Sequence, residues 1–251
     1  MKKSEKNWKN TAKKQKPRLS KKIKSCRGVS PYALLSLDQA ARLIKKGGVV
    51  AYPTETFYGL GADPKNKKAL GRIYRIKGRE KGKPVSIIIS SLKELQNWVE
   101  QPGSSLRKLI KSVWPGRVTF IFKAKKNVNS ILTAKTGTIG IRIPPHLKAR
   151  QLAQKVGGAI TATSANLSGL PSCFSAKEVW GQMGDKIDGI VRGRSCKPSK
   201  GSTIVDVSHI AVGAPLQPEA GPPLEDAAPL LIRQGDVPFK ALVPTLQRGN
   251  V

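Results

Sequence analysis

The chain has 251 residues, with 46 Lys and Arg against 15 Asp and Glu, and its formal net charge of +31 draws polyanions without specifying a fold. Hydrophobic residues at 39% are enough for a core, but aromatics at 5% leave that core resting on Val, Ile, Leu and Ala. No apolar run approaches the roughly 18 residues of a spanning helix, and the Lys-rich start has no apolar segment behind it, so membrane-spanning and secreted classes are excluded and a cytoplasmic protein is expected.

Residues 1–30 hold twelve Lys or Arg and one acid, Glu5. Their few apolar residues make no helical stripe, so the segment reads as a disordered basic tail. From residue 31 the pattern is that of an α/β domain running to residue 236, with 237–251 a loose C-terminal tail. Leu34–Lys46 reads as a helix, with Leu37, Ala40, Ala41 and Ile44 at helical spacing and Ser36 as a cap. After Gly47-Gly48, Val49–Tyr52 is a short buried strand. Asn66–Ile76 is a helix, Val85–Ile89 a central strand, and helices follow near Leu92–Val99 and Ser104–Val113. Val118–Lys123 and Thr138–Ile143 are strands, Leu147–Val156 a helix, Ala159–Thr163 a strand and Ala176–Met183 a helix. Ile190-Val191 and Thr203–Val207 are late strands. Residues 211–227, rich in Pro, Ala and Gly, read as a surface loop before a last strand at Pro229–Arg233. Interleaved strands and helices of this kind predict an α/β (α+β) fold, a twisted mixed sheet with flanking helices.

Cys26, Cys173 and Cys196 are far apart and odd in number, forming neither a metal-ligand pair nor a disulfide framework. His146 and His209 stand alone, without the spacing of a zinc site or a His-based triad. No protein metal site is therefore expected.

Three segments carry polar residues that a core does not require. Tyr52–Gly61 (YPTETFYGLG) follows a strand and places hydroxyls at the carboxyl edge of a sheet, where open α/β sheets bind ligands. A capped turn, with Thr54 or Thr56 bonding free amides, accounts for it equally well. Lys77–Pro84 (KGREKGKP) brings four basic residues and two glycines together. That suits a phosphate clamp, or merely a solvated helix end. It is not a Walker A loop, because only three residues separate Gly78 and Gly82 and Pro84 stands where Ser or Thr belongs. Thr161–Gly169 (TATSANLSG) again runs a strand into small hydroxyl and amide side chains that suit an anionic ligand. Three such loops at strand ends point to one pocket.

In order and spacing, GGVVAYPTETFYGLGAD, IYRIKGREKGKP, TIGIRIP, ATSANLSGLPS, GSTIVD and LIRQG resemble the YrdC/Sua5 family, the threonylcarbamoyl-AMP synthases, across roughly residues 32–236. The resemblance implies a YrdC-like sheet enclosing a basic concave cavity. It also implies an enzyme, a nucleotidyltransferase, that condenses L-threonine, bicarbonate and ATP into L-threonylcarbamoyladenylate with release of pyrophosphate, for the t6A modification at position 37 of tRNA. By motif position, Thr54, Arg142 and Ala162 would contact threonine, with Arg142 on its carboxylate. Lys77, Arg79, Lys83, Thr138, Ser164, Asn166, Ser172 and Arg233 would serve ATP. Lys77 and Arg79 would be the catalytic pair, since attack of a carbamate oxygen on the α-phosphate needs positioning and charge cancellation and no side-chain nucleophile. Mg²⁺, held mainly by the ATP phosphates, is the implied cofactor. A downstream threonylcarbamoyl transferase complex and tRNA or other RNA are the implied partners. Departures are Glu80, where many relatives have Pro, and Ile88 or a neighbour in place of a histidine. The second domain of Sua5-type members is not expected, because fewer than about twenty residues follow Arg233. The rival class is a non-catalytic RNA-binding protein of the same fold, although interleaved aromatics for base stacking are lacking.

Overall fold

The computed structural model describes residues 34–80, 82–210 and 229–242. The basic tail, the 211–227 segment and residues 243–251 lie outside the described residues. Eleven strands and six α-helices are described, in two mixed sheets rather than one.

The first sheet is built from β1 (Leu34–Leu35), β2 (Val50–Tyr52), β3 (Gly59–Gly61), β8 (Thr163–Ser164) and β9 (Gly189–Val191), in the order β1-β9-β2-β3-β8. The second holds β4 (Ile87–Ile89), β5 (Val118–Lys123), β6 (Thr138–Arg142), β7 (Ala159–Thr161), β10 (Thr203–Asp206) and β11 (Leu230–Arg233). Its order is β11-β10-β5-β6-β4-β7. Parallel and antiparallel pairs mix in both, as where β6 runs antiparallel to β5 and parallel to β4.

The predicted strand Ala159–Thr163 is broken at Ala162. β7 pairs with β4 in the second sheet, and β8 pairs with β3 in the first. Thr161, fully buried, fastens the two sheets at this crossing: its Oγ1 donates to the Leu60 carbonyl (2.8 Å) and accepts from the Ala62 amide (2.9 Å), while Tyr52 Oη donates to its carbonyl (2.8 Å). β3 was expected as part of a turn, because Gly-Leu-Gly has poor strand propensity. It forms because the Tyr52 ring lies across Gly59 and Gly61, where an added Cβ would come within 3.0 Å of it.

Helix α1 (Leu37–Lys45) starts later than its periodicity suggests. Ser36 Oγ accepts from the Gln39 amide and Gln39 Oε1 accepts from the Ser36 amide, a capping box that ends the helix there. Leu34 and Leu35 are thereby free to pair with Ile190 and Val191 as β1. Helix α2 (Lys67–Lys77) is capped by Asn66 and closed by Gly78 in the left-handed conformation. α3 (Ser104–Val113), α5 (Leu147–Val156) and α6 (Ala176–Met183) match their predicted spans. Leu92–Asn97 is a 3₁₀ helix, and the four-residue α4 (Ser130–Thr133) was not foreseen.

The largest core gathers Ile87, Ile89, Ile139 and Ile141 of the second sheet around Trp98, Trp114, Phe120 and Phe122, so the few aromatics are concentrated there. Leu242, expected in a loose tail, is buried against this core with Phe239 beside it. A C-terminal apolar pair can be ordered by packing alone, which no local signal announces.

Candidate functional site

Alternate residues of a strand share a face, and one face of the second sheet presents Thr119 and Ile121 of β5, Thr138, Gly140 and Arg142 of β6, and Ile204 of β10 to a single cavity of about 360 Å³. Ser202, just before β10, and Ile232 and Arg233 of β11 extend that floor. Thr56 and Phe57 from the β2–β3 turn, Arg79 beyond α2, and Ala162, Thr163 and Ser164 at the crossing between sheets wall it in. At Gly140 an added Cβ would meet Ser86 Oγ at 2.5 Å, so a larger residue in the floor would displace that hydroxyl. Three arginines line the cavity and none of its lining residues is acidic. Its volume is in the range of small-molecule sites.

Of the sequence-predicted residues, Arg79, Thr138, Arg142, Ala162, Ser164 and Arg233 line this cavity together. Gly78 turns the chain at the end of α2 and aims Arg79 inward. Its Nη1 then donates to Thr163 Oγ1 (3.2 Å) and its Nη2 to the Pro84 carbonyl (2.9 Å). Arg233 Nη2 donates to the Ser202 carbonyl (2.8 Å). The turn that carries it is anchored by Asp236, which accepts from Arg117 Nη1 (3.0 Å), Ser199 Oγ (2.6 Å) and the Lys200 amide (2.8 Å). Arg142 Nη1 donates to Glu55 Oε1 at 2.6 Å in a buried ion pair.

Thr54, Lys77, Lys83, Asn166 and Ser172 are not on the cavity surface. Thr54 is buried, its Oγ1 donating to the Phe57 carbonyl (2.6 Å) and accepting from the Thr56 and Phe57 amides (3.2 and 3.3 Å). That is the capped-turn role which its local sequence left open. Lys77 is only 4% exposed. Its ammonium donates to the carbonyls of Ser164 (2.5 Å) and Asn166 (2.8 Å) and to Asn166 Oδ1 (3.0 Å), which uses all three of its protons. Burial, reinforced by the nearby Arg79 charge, pushes this ammonium down to about 8. Asn166 completes the loop by donating from Nδ2 to the Leu170 carbonyl. Lys83 is exposed and paired with Glu80 at 3.3 Å, a contact worth little in water. Ser172 is half-buried. Ile88, which with its neighbours was read as replacing a histidine, is fully buried in the core.

Ser202, Thr119, Ser86 and Phe57 line the cavity without having been singled out. Ser202 and Thr119 are hydrogen-bonded through their hydroxyls (2.9 Å). A polar Thr at the second position of the apolar strand VTFIFK, sharing its face with Ile121, was the available signal.

Residues 42–214 match the model of the Sua5/YciO/YrdC family, described as telomere recombination. The chain belongs to that family. The threonylcarbamoyl-AMP synthase of Photobacterium profundum is 35% identical over 162 residues, which cover 64% of this chain and 88% of that protein. Among solved structures, P. abyssi Sua5 complexed with L-threonine is similar with a TM-score of 0.72 and 31% identity, covering 83% of this chain and 56% of Sua5. The chain thus spans little more than half of that Sua5. E. coli YciO is similar over 82% of this chain and 92% of its own, with a TM-score of 0.68 and 27% identity. Within the Sua5/YciO/YrdC match fall all of the cavity residues from Thr56 to Ile204, whereas Ile232 and Arg233 lie beyond it. Among the described residues no helix is long and apolar enough to cross a membrane.

Proposed function

We propose that the chain is a threonylcarbamoyl-AMP synthase, a nucleotidyltransferase that joins L-threonine, bicarbonate and ATP and releases pyrophosphate for the t6A modification of tRNA. The observation that carries this reading is the convergence of Arg79, Arg142 and Arg233 with the hydroxyls of Thr138, Ser164 and Ser202 on one cavity, in a chain whose relatives bear that name. Arg142 is assigned to the threonine carboxylate, and the small Ala162 leaves room for the amino acid. Arg79 and Arg233 are assigned to the phosphates, where preorganised cations offset the charge of the leaving pyrophosphate.

Lys77, Thr54 and Asn166 are assigned one layer back. Lys77 holds the Ser164–Asn166 loop in shape, and its charge acts across that loop. Lys83 and Ser172 have no place in the cavity wall. Among the described residues no group of three or more His, Cys, Asp or Glu could hold a metal. Mg²⁺ is assigned to the ATP phosphates, whose hard oxygens suit it, with no protein cage. The ion would supply charge neutralisation there, and the protein would supply the guanidinium groups around it.

The deciding assay is pyrophosphate release from ATP that depends on both threonine and bicarbonate. Release dependent on both substrates is expected. Tight RNA binding with no such release would decide for a non-catalytic RNA-binding protein instead.

A further inference from the structure

Glu55 belongs to none of the roles above, and its surroundings are unusual. Its side chain is 10% exposed and its Oε1 accepts from Arg142 Nη1 at 2.6 Å. The other oxygen, Oε2, is fully buried without a hydrogen-bond partner. Tyr52, His146 and Cys196 sit in the field of this carboxylate, and burial favours the uncharged form of each. Arg142 is thus the cation that Glu55 answers. Glu55 does not line the cavity, whereas Arg142 does, and among the described residues Arg142 makes no other side-chain hydrogen bond. Its remaining guanidinium donors are available to a ligand.

From this we infer that Glu55 is a positioning and specificity residue that restricts the Arg142 subsite to zwitterionic α-amino acids without touching them. The inference rests on the assignment of Arg142 to a substrate carboxylate. With Glu55 behind it, the guanidinium is already neutralised. A ligand bringing only a carboxylate must share Arg142 with the Glu55 carboxylate, two like charges on one buried guanidinium, a cost that Arg79 and Arg233 on the same cavity reduce without removing. A ligand bringing a carboxylate and an ammonium adds no net charge, and its ammonium is attracted by the Glu55 carboxylate. Holding Nη1 also fixes which edge of the guanidinium faces the cavity.

The test compares binding of L-threonine with that of (R)-3-hydroxybutanoate, the same skeleton without the amine, by calorimetry. Wild type is expected to prefer threonine at least about tenfold. Glu55→Gln keeps the hydrogen bond to Nη1 and removes the charge. It should narrow the preference by about tenfold, chiefly because hydroxybutanoate binds more tightly. Glu55→Asp keeps the charge and should keep the preference within about threefold. An unchanged preference in E55Q would make Glu55 a structural partner only. Should E55Q fail to fold, equal binding of the two ligands by wild type, or collapse of the preference in E55D, would overturn the inference equally. If wild type binds no threonine at all, the reading of the Arg142 subsite itself fails. Threonine binding with an unaltered E55Q preference removes the role of Glu55 alone.

Discussion

The Lys77 ammonium lies 2.8 Å from the Asn166 carbonyl and 3.0 Å from Asn166 Oδ1, so the last residue of α2 holds the loop that forms one wall of the cavity. A buried lysine with three acceptors and no carboxylate stabilises that loop only while its protons are directed at it. Lys77→Met keeps the aliphatic stem and removes all three bonds, leaving the Asn166 carbonyl without a donor, whereas the Ser164 carbonyl and Asn166 Oδ1 keep the Asn166 amide and Ser164 Oγ. The cost should be about 2–4 kcal/mol, read as a fall in Tm of roughly 5–12 °C. An unchanged Tm would mean that the loop stands without Lys77.

The same lysine predicts a pH dependence. Burial and Arg79 push it from 10.5 to about 8 in the folded chain. Between those values the unfolded chain holds a proton that the folded chain has released, so this group's contribution to stability rises with pH. At pH 7 the lysine is charged in both states and the full burial penalty is present. The stability of wild type relative to K77M should therefore grow by about 1–3 kcal/mol between pH 7.5 and 10. Urea unfolding of both proteins at the two pH values measures it. A constant difference would show that the three acceptors fully offset burial.

Arg79 is different because its guanidinium faces the cavity and its partners, Thr163 Oγ1 and the Pro84 carbonyl, lie on the cavity wall too. Arg79→Ala should lower product formation by a hundredfold or more, since loss of a charge-assisted contact to a transferring phosphoryl group costs about 3 kcal/mol. Its Tm should fall less than that of K77M. Near-wild-type turnover in the folded variant would remove Arg79 from the phosphate site.

The contrast between these two residues shows what could be read from the chain. KGREKGKP announced a cluster of cations after a helix, but not that α2 would extend through Lys77 and bury it while Gly78 turned Arg79 into the cavity. That depends on where the Ser164–Asn166 loop lies, almost ninety residues away. Helices α2, α3, α5 and α6 were legible because their apolar spacing is local. β1 and β3 were not, because their pairing partners are distant in sequence and their own residues look like a helix start and a turn. The break at Ala162 was hidden for a related reason: the Ala and β-branched residues of Ala159–Thr163 continue unbroken while the chain passes between sheets. The Glu55–Arg142 pair, 87 residues apart, leaves no sequence signal at all.

Arg142 sets an expectation for substrate chemistry. A guanidinium with donors free on its cavity side selects a carboxylate, which a neutral amide of the same shape does not replace. Threoninamide should be a substrate at least about a hundredfold poorer than threonine in kcat/KM. Equal turnover of the two would remove Arg142 from carboxylate recognition and leave its pairing with Glu55 purely structural.

Ala162 bears on the size of the amino acid. It lines the cavity at the crossing between β7 and β8, where its amide donates to the Ser86 carbonyl at 2.7 Å. Ala162→Val adds two methyl groups facing the proposed threonine position and leaves the backbone bond intact. KM for threonine should rise about tenfold or more with KM for ATP little changed, at a stability cost of about 1–3 kcal/mol. Equal rises in both constants would place Ala162 away from the amino acid.

The basic N-terminal segment makes an independent prediction from charge alone. Residues 1–30 hold twelve Lys or Arg against a single acid, whereas the cavity is lined by residues from Thr56 to Arg233. A chain starting at Ser30 should therefore keep its synthase activity. Its affinity for tRNA should fall, and so should the salt sensitivity of that affinity, because each phosphate neutralised releases condensed counterions. If about five of these charges meet phosphates, the slope of log K against log salt should change by roughly 3.5 to 4.5 units. Binding titrations of full-length and shortened chains at several salt concentrations measure that slope. An unchanged slope would make the segment a solubilising extension with no polyanionic partner, and loss of synthase activity would show that it contributes to the site.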